Sequence, residues 1–166
     1  MRLTGLELTG FKSFAKKTSL PFAAPITAVV GPNGSGKSNI AEACRWVLGE
    51  QSLKSLRGKR GEDFIWNGAG RERSNRAAVQ VTFDNHDHKF SLDYDEVTIG
   101  REVHRDGTNI YTINRSPVRL RDVATVQFGP EGGSPQSIWV LSYSNFERLY
   151  YNLVAHFKVW GSVTHK

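Results

Sequence analysis

Apolar and polar residues alternate with period two along much of this chain, and the alternation breaks once for a helix. Leu6 and Leu8 alternate with Glu7 and Thr9, which predicts a first strand with one buried face. Thr18 to Phe22 is a short second strand. Pro21 within it points to a sheet edge, because proline lacks the N–H that a central ladder needs. Ile26-Thr27-Ala28-Val29-Val30 is continuously apolar and β-branched, the pattern of a buried strand. The period then lengthens. Ile40, Ala43, Cys44, Val47 and Leu48 fall at helical spacing, so Asn39 to Leu48 is predicted as a helix with one face on a sheet, ended by Gly49. Gln51 to Gly70 carries many glycines and charges and reads as irregular. From Arg76 the period is two again. Val79, Val81 and Phe83 alternate with Gln80 and Thr82, and Asn85 to His88 reads as a turn. Phe90, Leu92 and Tyr94 predict the next strand, and Val97, Ile99 and Val103 mark another. Asp106-Gly107 is a hairpin turn leading into Ile110 to Ile113, which completes an antiparallel meander. Ser116-Pro117 offers a cap and a first helical position, predicting a helix over Val118 to Val123.

Between the apolar run and the helix lies Gly31-Pro32-Asn33-Gly34-Ser35-Gly36-Lys37-Ser38-Asn39, which fits G-x-x-x-x-G-K-[ST] at every fixed position. A strand before it and a helix after it are the context that gives the pattern meaning. Gly31, Gly34 and Gly36 let the backbone turn tightly and aim its N–H groups at a phosphate. The helix opening near Lys37 adds the positive end of its dipole. Lys37 brings a charge to the β- and γ-phosphates, and the Ser38 hydroxyl is a ligand for Mg²⁺. A Gly-rich turn with a chance Lys-Ser is the plainer reading, and the flanking elements weigh against it.

Composition narrows the class. With 166 residues, 39% of them hydrophobic, the chain can form one domain with a sizeable core. No apolar run reaches the ~18 residues of a membrane span. Met1 leads straight into the alternation of the first strand, so no signal peptide is expected and the cytoplasm is the expected compartment. The single cysteine, Cys44, falls on the apolar side of the helix and reads as a buried structural thiol. Net charge is +6 and the isoelectric point about 9.6. The basic residues group as Lys54, Arg57, Lys59, Arg60, then Arg71, Arg73, Arg76, then Arg101, Arg105, Arg115, Arg119, Arg121. Such groups attract phosphate backbones, although a run of charge is more often a solvated face. His86 and His88 lack the companion ligands of a metal site, and no nucleophilic triad is visible.

Several further segments carry a resemblance. They are Leu8-Thr9-Gly10-Phe11-Lys12-Ser13-Phe14, Trp46-Val47-Leu48-Gly49-Glu50, Ser55-Leu56-Arg57-Gly58, Glu62 to Gly68 and Tyr111-Thr112-Ile113-Asn114. In this order, with the phosphate loop, residues 1–123 resemble the N-terminal half of a bacterial SMC ATPase head, the chromosome-structuring family. The resemblance implies an α/β fold: an incomplete phosphate-loop NTPase core of the ABC type with an antiparallel β lobe. It implies ATP and Mg²⁺ as cofactors, and Lys12 and Ser13 near the nucleotide phosphates. Arg57 takes the place of an arginine that reaches the nucleotide and is linked to DNA-stimulated hydrolysis. Asn67 and Gly68 border the base pocket. Lys59, Arg60, Arg119 and Arg121 resemble the basic surface on which such heads receive DNA. The implied partners are non-specific DNA, a C-terminal head half, a second copy of the head and accessory subunits, in the nucleoid.

After Val123 the familiar segments stop. The stretch Phe128 to Pro135 reads as a linker, and an aromatic-rich end follows, so residues 124–166 are expected to be a divergent tail. Gln127 and Gln136 are not in the family's glutamine context, and Ile138-Trp139-Val140-Leu141 ends in Ser142 rather than the Asp that holds Mg²⁺. Hydrolysis by this chain alone is therefore expected to be near background. Three other readings stay open: a RecF- or RecN-type repair ATPase, a small self-sufficient P-loop enzyme, and an inactive truncated remnant.

Overall fold

The alternation from Leu3 to Val118 resolves into six strands of one antiparallel sheet, ordered β2-β1-β3-β4-β5-β6. The computed structural model describes residues 2–24, 27–51, 56–58, 60–68, 72–90 and 92–123. The strands are β1 (Arg2–Thr9), β2 (Thr18–Pro21), β3 (Arg76–Asp84), β4 (Glu96–His104), β5 (Asn109–Ile113) and β6 (Ser116–Val118). Helix α1 (Lys37–Val47) packs against β3 and β4, and a 3₁₀ turn over Gly61–Phe64 lies by β4. As Pro21 predicts, β2 is an edge strand.

Register puts one apolar set on the helix side. Leu6 faces Val81 and Leu8 faces Val79 across β1 and β3. Val81 faces Ile99 and Phe83 faces Val97 across β3 and β4. All of these side chains are buried. Beneath them Phe11, Trp46 and Phe64 form an aromatic cluster with ring centroids 5.3, 5.8 and 6.1 Å apart. Cys44 is buried in α1, and burial pushes its thiol up to about 11.

Three sequence expectations fail, each for a local reason. Thr27 to Val30 forms no strand: Val29 is 44% exposed and Val30 84%. Both flanks of β1 are taken by β2 and β3, and no described strand runs beside 27–30 to complete a ladder. Ile26, the first residue of that run, lies outside the described residues. Phe90, Leu92 and Tyr94 form no strand either, because β3 pairs directly with β4. Asn85, fully buried, gathers this segment instead. Its Nδ2 donates to Leu92 O (3.2 Å) and Tyr94 O (2.8 Å), and its Oδ1 accepts from Phe90 N (2.9 Å). Phe90 is thereby pressed edge-on to Phe83, while Tyr94 points outward, 57% exposed. Lastly, Ser116–Val118 is strand β6, not a helix start. Asn114 and Arg115, both in the left-handed region (φ 48° and 67°), fold it back on β5 as a two-residue hairpin. Helix begins only at Leu120, where Asp122 accepts a hydrogen bond from Arg119 N (2.8 Å).

Arg101 also departs from the surface role suggested by its basic neighbours. It occupies an inward position of β4 beside Ile99 and Val103, and it is buried. Its Nη1 donates to Trp46 O (2.9 Å) and Glu50 O (3.3 Å) at the end of α1, and its Nε donates to Asn109 Oδ1 (3.2 Å). The guanidinium lies between Trp46 (4.5 Å) and Tyr111 (4.8 Å). Carbonyls at a helix C-terminus lack partners within the helix, and a cation there also meets the negative end of the dipole. Arg101 thus docks the end of α1 onto the sheet, which fixes the helix whose other end carries the phosphate loop.

Candidate nucleotide site

Gly34 and Gly36 adopt φ of 83° and 90°, where a side chain would be strained. A Cβ on Gly31 would meet Ser35 Oγ at 2.8 Å, and one on Gly36 would meet Ser13 Oγ at 2.7 Å. Gly34 and Gly36 thus hold backbone that favours glycine, and at Gly31 a side chain would displace the Ser35 hydroxyl. Gly36 is the N-cap of α1, with no side-chain cap bond and no acidic residue in the first turn. The positive end of the helix is left without a protein carboxylate, which suits a phosphate. Lys37 Nζ donates to Gly31 O and Pro32 O, each at 2.6 Å, so its ammonium sits within the curve of the loop. Pro32 O also accepts from Ser35 N (3.3 Å), and Asn33 and Gly34 form the turn. Ser38 is exposed at the start of the helix. This donor set fits a polyphosphate with a hard cation such as Mg²⁺.

The segment after β1 lies along the first turns of α1. Asn39 Nδ2 donates to Ser13 Oγ (2.9 Å), and one turn further Glu42 faces Lys12. Lys12 is engaged by α1 and by the segment around Leu56. Its Nζ is ion-paired with Glu42, donates to Leu56 O (2.7 Å) and lies 5.4 Å from the Phe64 ring centroid. Arg57 pairs with the same carboxylate, its Nε and Nη2 both on Oε1. Glu42 is 2% exposed. It was not among the residues the sequence singled out, although one signal was there. It is a carboxylate three positions after Asn39 and four before Trp46, on a helix face that must pack, and a charge there needs a partner.

Asn67 pairs with Arg73 in an isolated bridge, and its Oδ1 accepts from Arg105 Nη2 (3.4 Å). A Cβ on Gly68 would meet the Trp66 ring at 2.5 Å and Glu72 O at 2.9 Å, so this position favours glycine. Of the grouped basic residues, Arg57, Arg60, Arg73, Arg76, Arg115, Arg119 and Arg121 are exposed, and Lys54, Lys59 and Arg71 lie outside the described residues. Arg76 is paired with Glu102 (2.6 Å), and Arg105 donates to Ser74 O (2.8 Å). With Arg101 buried, the basic surface is narrower than the sequence suggests. Among the described residues no group of three or more His, Cys, Asp or Glu could hold a metal ion, and His86 is bonded to Asp84. No described helix is long and apolar enough to cross a membrane. The tail, 124–166, and Ser55 also lie outside the described residues.

The model of the RecF/RecN/SMC N-terminal domain matches residues 2–127. A chromosome partition protein Smc of Lactiplantibacillus plantarum is 49% identical over 151 residues, covering 90% of this chain and 13% of that protein. The Smc of Mycolicibacterium paratuberculosis is 53% identical over 124 residues, 74% of this chain and 10% of that protein. The first of these matches runs past Val123, beyond the point where the familiar segments stop. A solved SMC ATPase chain, from work on ATP-driven dimerization and DNA-stimulated activation, superposes with a TM-score of 0.76 at 35% identity. It covers 90% of this chain and 91% of that one. An SMC head bound to the C-winged helix domain of ScpA gives a TM-score of 0.73 at 40% identity, over 76% of this chain and 40% of that one.

Proposed function

The chain belongs to the RecF/RecN/SMC N-terminal domain family, with an incomplete SMC-type head fold, and on that premise we propose that it binds ATP with Mg²⁺ through residues 31–39. The supporting observation is the loop itself: tight glycines, an uncapped helix end and Lys37 inside the curve. The amides of Gly34 to Ser38 would hold phosphate oxygens, Lys37 would exchange its two carbonyl partners for the β- and γ-phosphates, and Ser38 would be a ligand for Mg²⁺. Asn67 and Gly68 border the base, and Ser13 positions Asn39 at the first turn. Bound Mg²⁺ neutralises phosphate charge; positioning is the work of the chain. The role that best fits such a head is chromosome condensation and segregation in the nucleoid. There it would work with a C-terminal head half, a second head and accessory subunits. A RecF- or RecN-type repair role is the alternative within the same family.

Lys37→Ala removes the ammonium and its charge-assisted bonds. The expected loss is on the order of 2–3 kcal/mol, or tens-fold in ATP affinity by calorimetry. Equal affinity in the two proteins would remove the site assignment.

We also infer a weak, sequence-independent affinity for DNA, resting on Arg60, Arg119 and Arg121 together with Lys59. Removing one cation that meets a DNA phosphate is expected to lower the log–log salt slope by roughly 0.9. Charge reversal at Arg119 and Arg121 that leaves low-salt affinity unchanged contradicts this surface.

A further inference from the structure

Two cations converge on one buried carboxylate beside the phosphate loop. Glu42 has 3% of its side chain exposed, Lys12 12% and Arg57 59%. A buried carboxylate needs a positive partner, and one is enough to neutralise it. Lys12 is built in as that partner. It is enclosed, its backbone N donates to Phe64 O (2.8 Å), and its ammonium is also fixed on Leu56 O (2.7 Å). Arg57 is the second cation, on a half-open side chain. Both residues adopt left-handed backbone (φ 46° at Lys12, 48° at Arg57), an uncommon geometry for non-glycine residues that the surroundings must hold in place. Lys12 therefore does two things. It satisfies Glu42, and through Leu56 it ties the turn carrying Arg57 to α1. Glu42 lies five positions beyond Lys37 on the helix, about 7.5 Å along its axis, a distance comparable to the length of an arginine side chain.

We propose that Glu42 is a positioning residue that parks the Arg57 guanidinium in the ligand-free chain, and that Arg57 leaves Glu42 for a triphosphate while Lys12 stays. The step leaves no uncompensated charge inside, because the Glu42–Lys12 pair remains. It follows that Glu42 competes with the nucleotide for Arg57 and weakens binding until the guanidinium transfers. The proposal rests on the reading of residues 31–39 as a triphosphate site.

The test measures ATP affinity of the 166-residue chain by calorimetry, together with the Arg57 Nε–H signal in spectra of ¹⁵N-arginine-labelled protein, assigned by its loss in Arg57→Lys. Glu42→Gln keeps the shape, and it removes the competing charge together with one of the two acceptor oxygens. It is expected to bind ATP up to about tenfold more tightly, and the gain should vanish in the Glu42→Gln/Arg57→Ala double variant. In the wild type, ATP is expected to shift the Arg57 signal. Unchanged or weaker binding in Glu42→Gln overturns the proposal, while loss of binding in Lys37→Ala keeps the nucleotide reading intact. Should Glu42→Gln fail to fold, an Arg57 signal in the wild type that ATP leaves unmoved overturns it alone. If the wild type binds no ATP, the nucleotide reading falls. Parking is then judged by exchange of Arg57 Nε–H with water, slow in the wild type and faster in Glu42→Gln; equal rates overturn it.

Discussion

Trp46→Ala is expected to cost about 4 kcal/mol of stability, the middle of the range for deleting a buried aromatic side chain. Trp46 is 1% exposed and touches Phe11 and Phe64 on one side and the Arg101 guanidinium on the other. Removing the indole opens a cavity among rings that belong to three different segments. It also takes away the surface on which a buried cation rests, a contact that strengthens with desolvation. Small domains hold only about 5–15 kcal/mol in total, so this substitution brings the chain close to unfolding. Urea denaturation followed by circular dichroism checks it. A midpoint within error of the wild type shows that the aromatic cluster does not bind helix to sheet.

The chain alone is expected to hydrolyse ATP no faster than background, and a separately expressed C-terminal half of an SMC head is expected to restore turnover. Holding ATP and Mg²⁺ in the ground state does not lower the barrier. Turnover needs a positioned water and charge stabilisation at the γ-phosphate. In SMC heads, as the resemblance implies, these come from a glutamine loop, an aspartate–glutamate pair and the signature serine of the second head. The sequence between Ala124 and Lys166 is not expected to supply them. Arg57 can stabilise charge, but a guanidinium does not activate water. Phosphate release measured with each half alone and with both decides the matter. Multiple turnovers by this chain alone, abolished by Lys37→Ala, would instead support a small self-sufficient enzyme.

Local pattern was enough wherever neighbours in sequence are also neighbours in space. The meander through Val79, Ile99 and Ile113, the Asp106-Gly107 turn and the edge position of Pro21 could all be read directly. The helix and its glycine stop at Gly49 (φ 95°) were legible for the same reason. Failures came where a specific partner or turn, and not periodicity, decides. Thr27 to Val30 has strand composition, but pairing is a property of two segments, and no described segment meets it. Phe90 to Tyr94 alternates correctly, yet one buried amide, Asn85, takes the backbone groups that a ladder would use. Ser116-Pro117 satisfies the rules for a helix start and for an edge strand alike, and the Asn114-Arg115 turn decided between them. At the site, the loop was legible residue by residue. The roles of Glu42 and Arg101 were not, since a charged residue at an inward position announces a partner without naming it.

Cys44 turns the same packing into a built-in clock. It is the only thiol in the chain, it lies in α1, and its ionisation is pushed up to about 11. Alkylating reagents attack the thiolate, and the closed protein offers them almost none near neutral pH. Labelling therefore waits until α1 lifts from the sheet, so its rate counts openings of the helix that carries the phosphate loop. The chain can report in this way with no engineered cysteine and no fluorophore. ATP that settles the loop would slow the count, and a variant that loosens the Arg101 dock would quicken it.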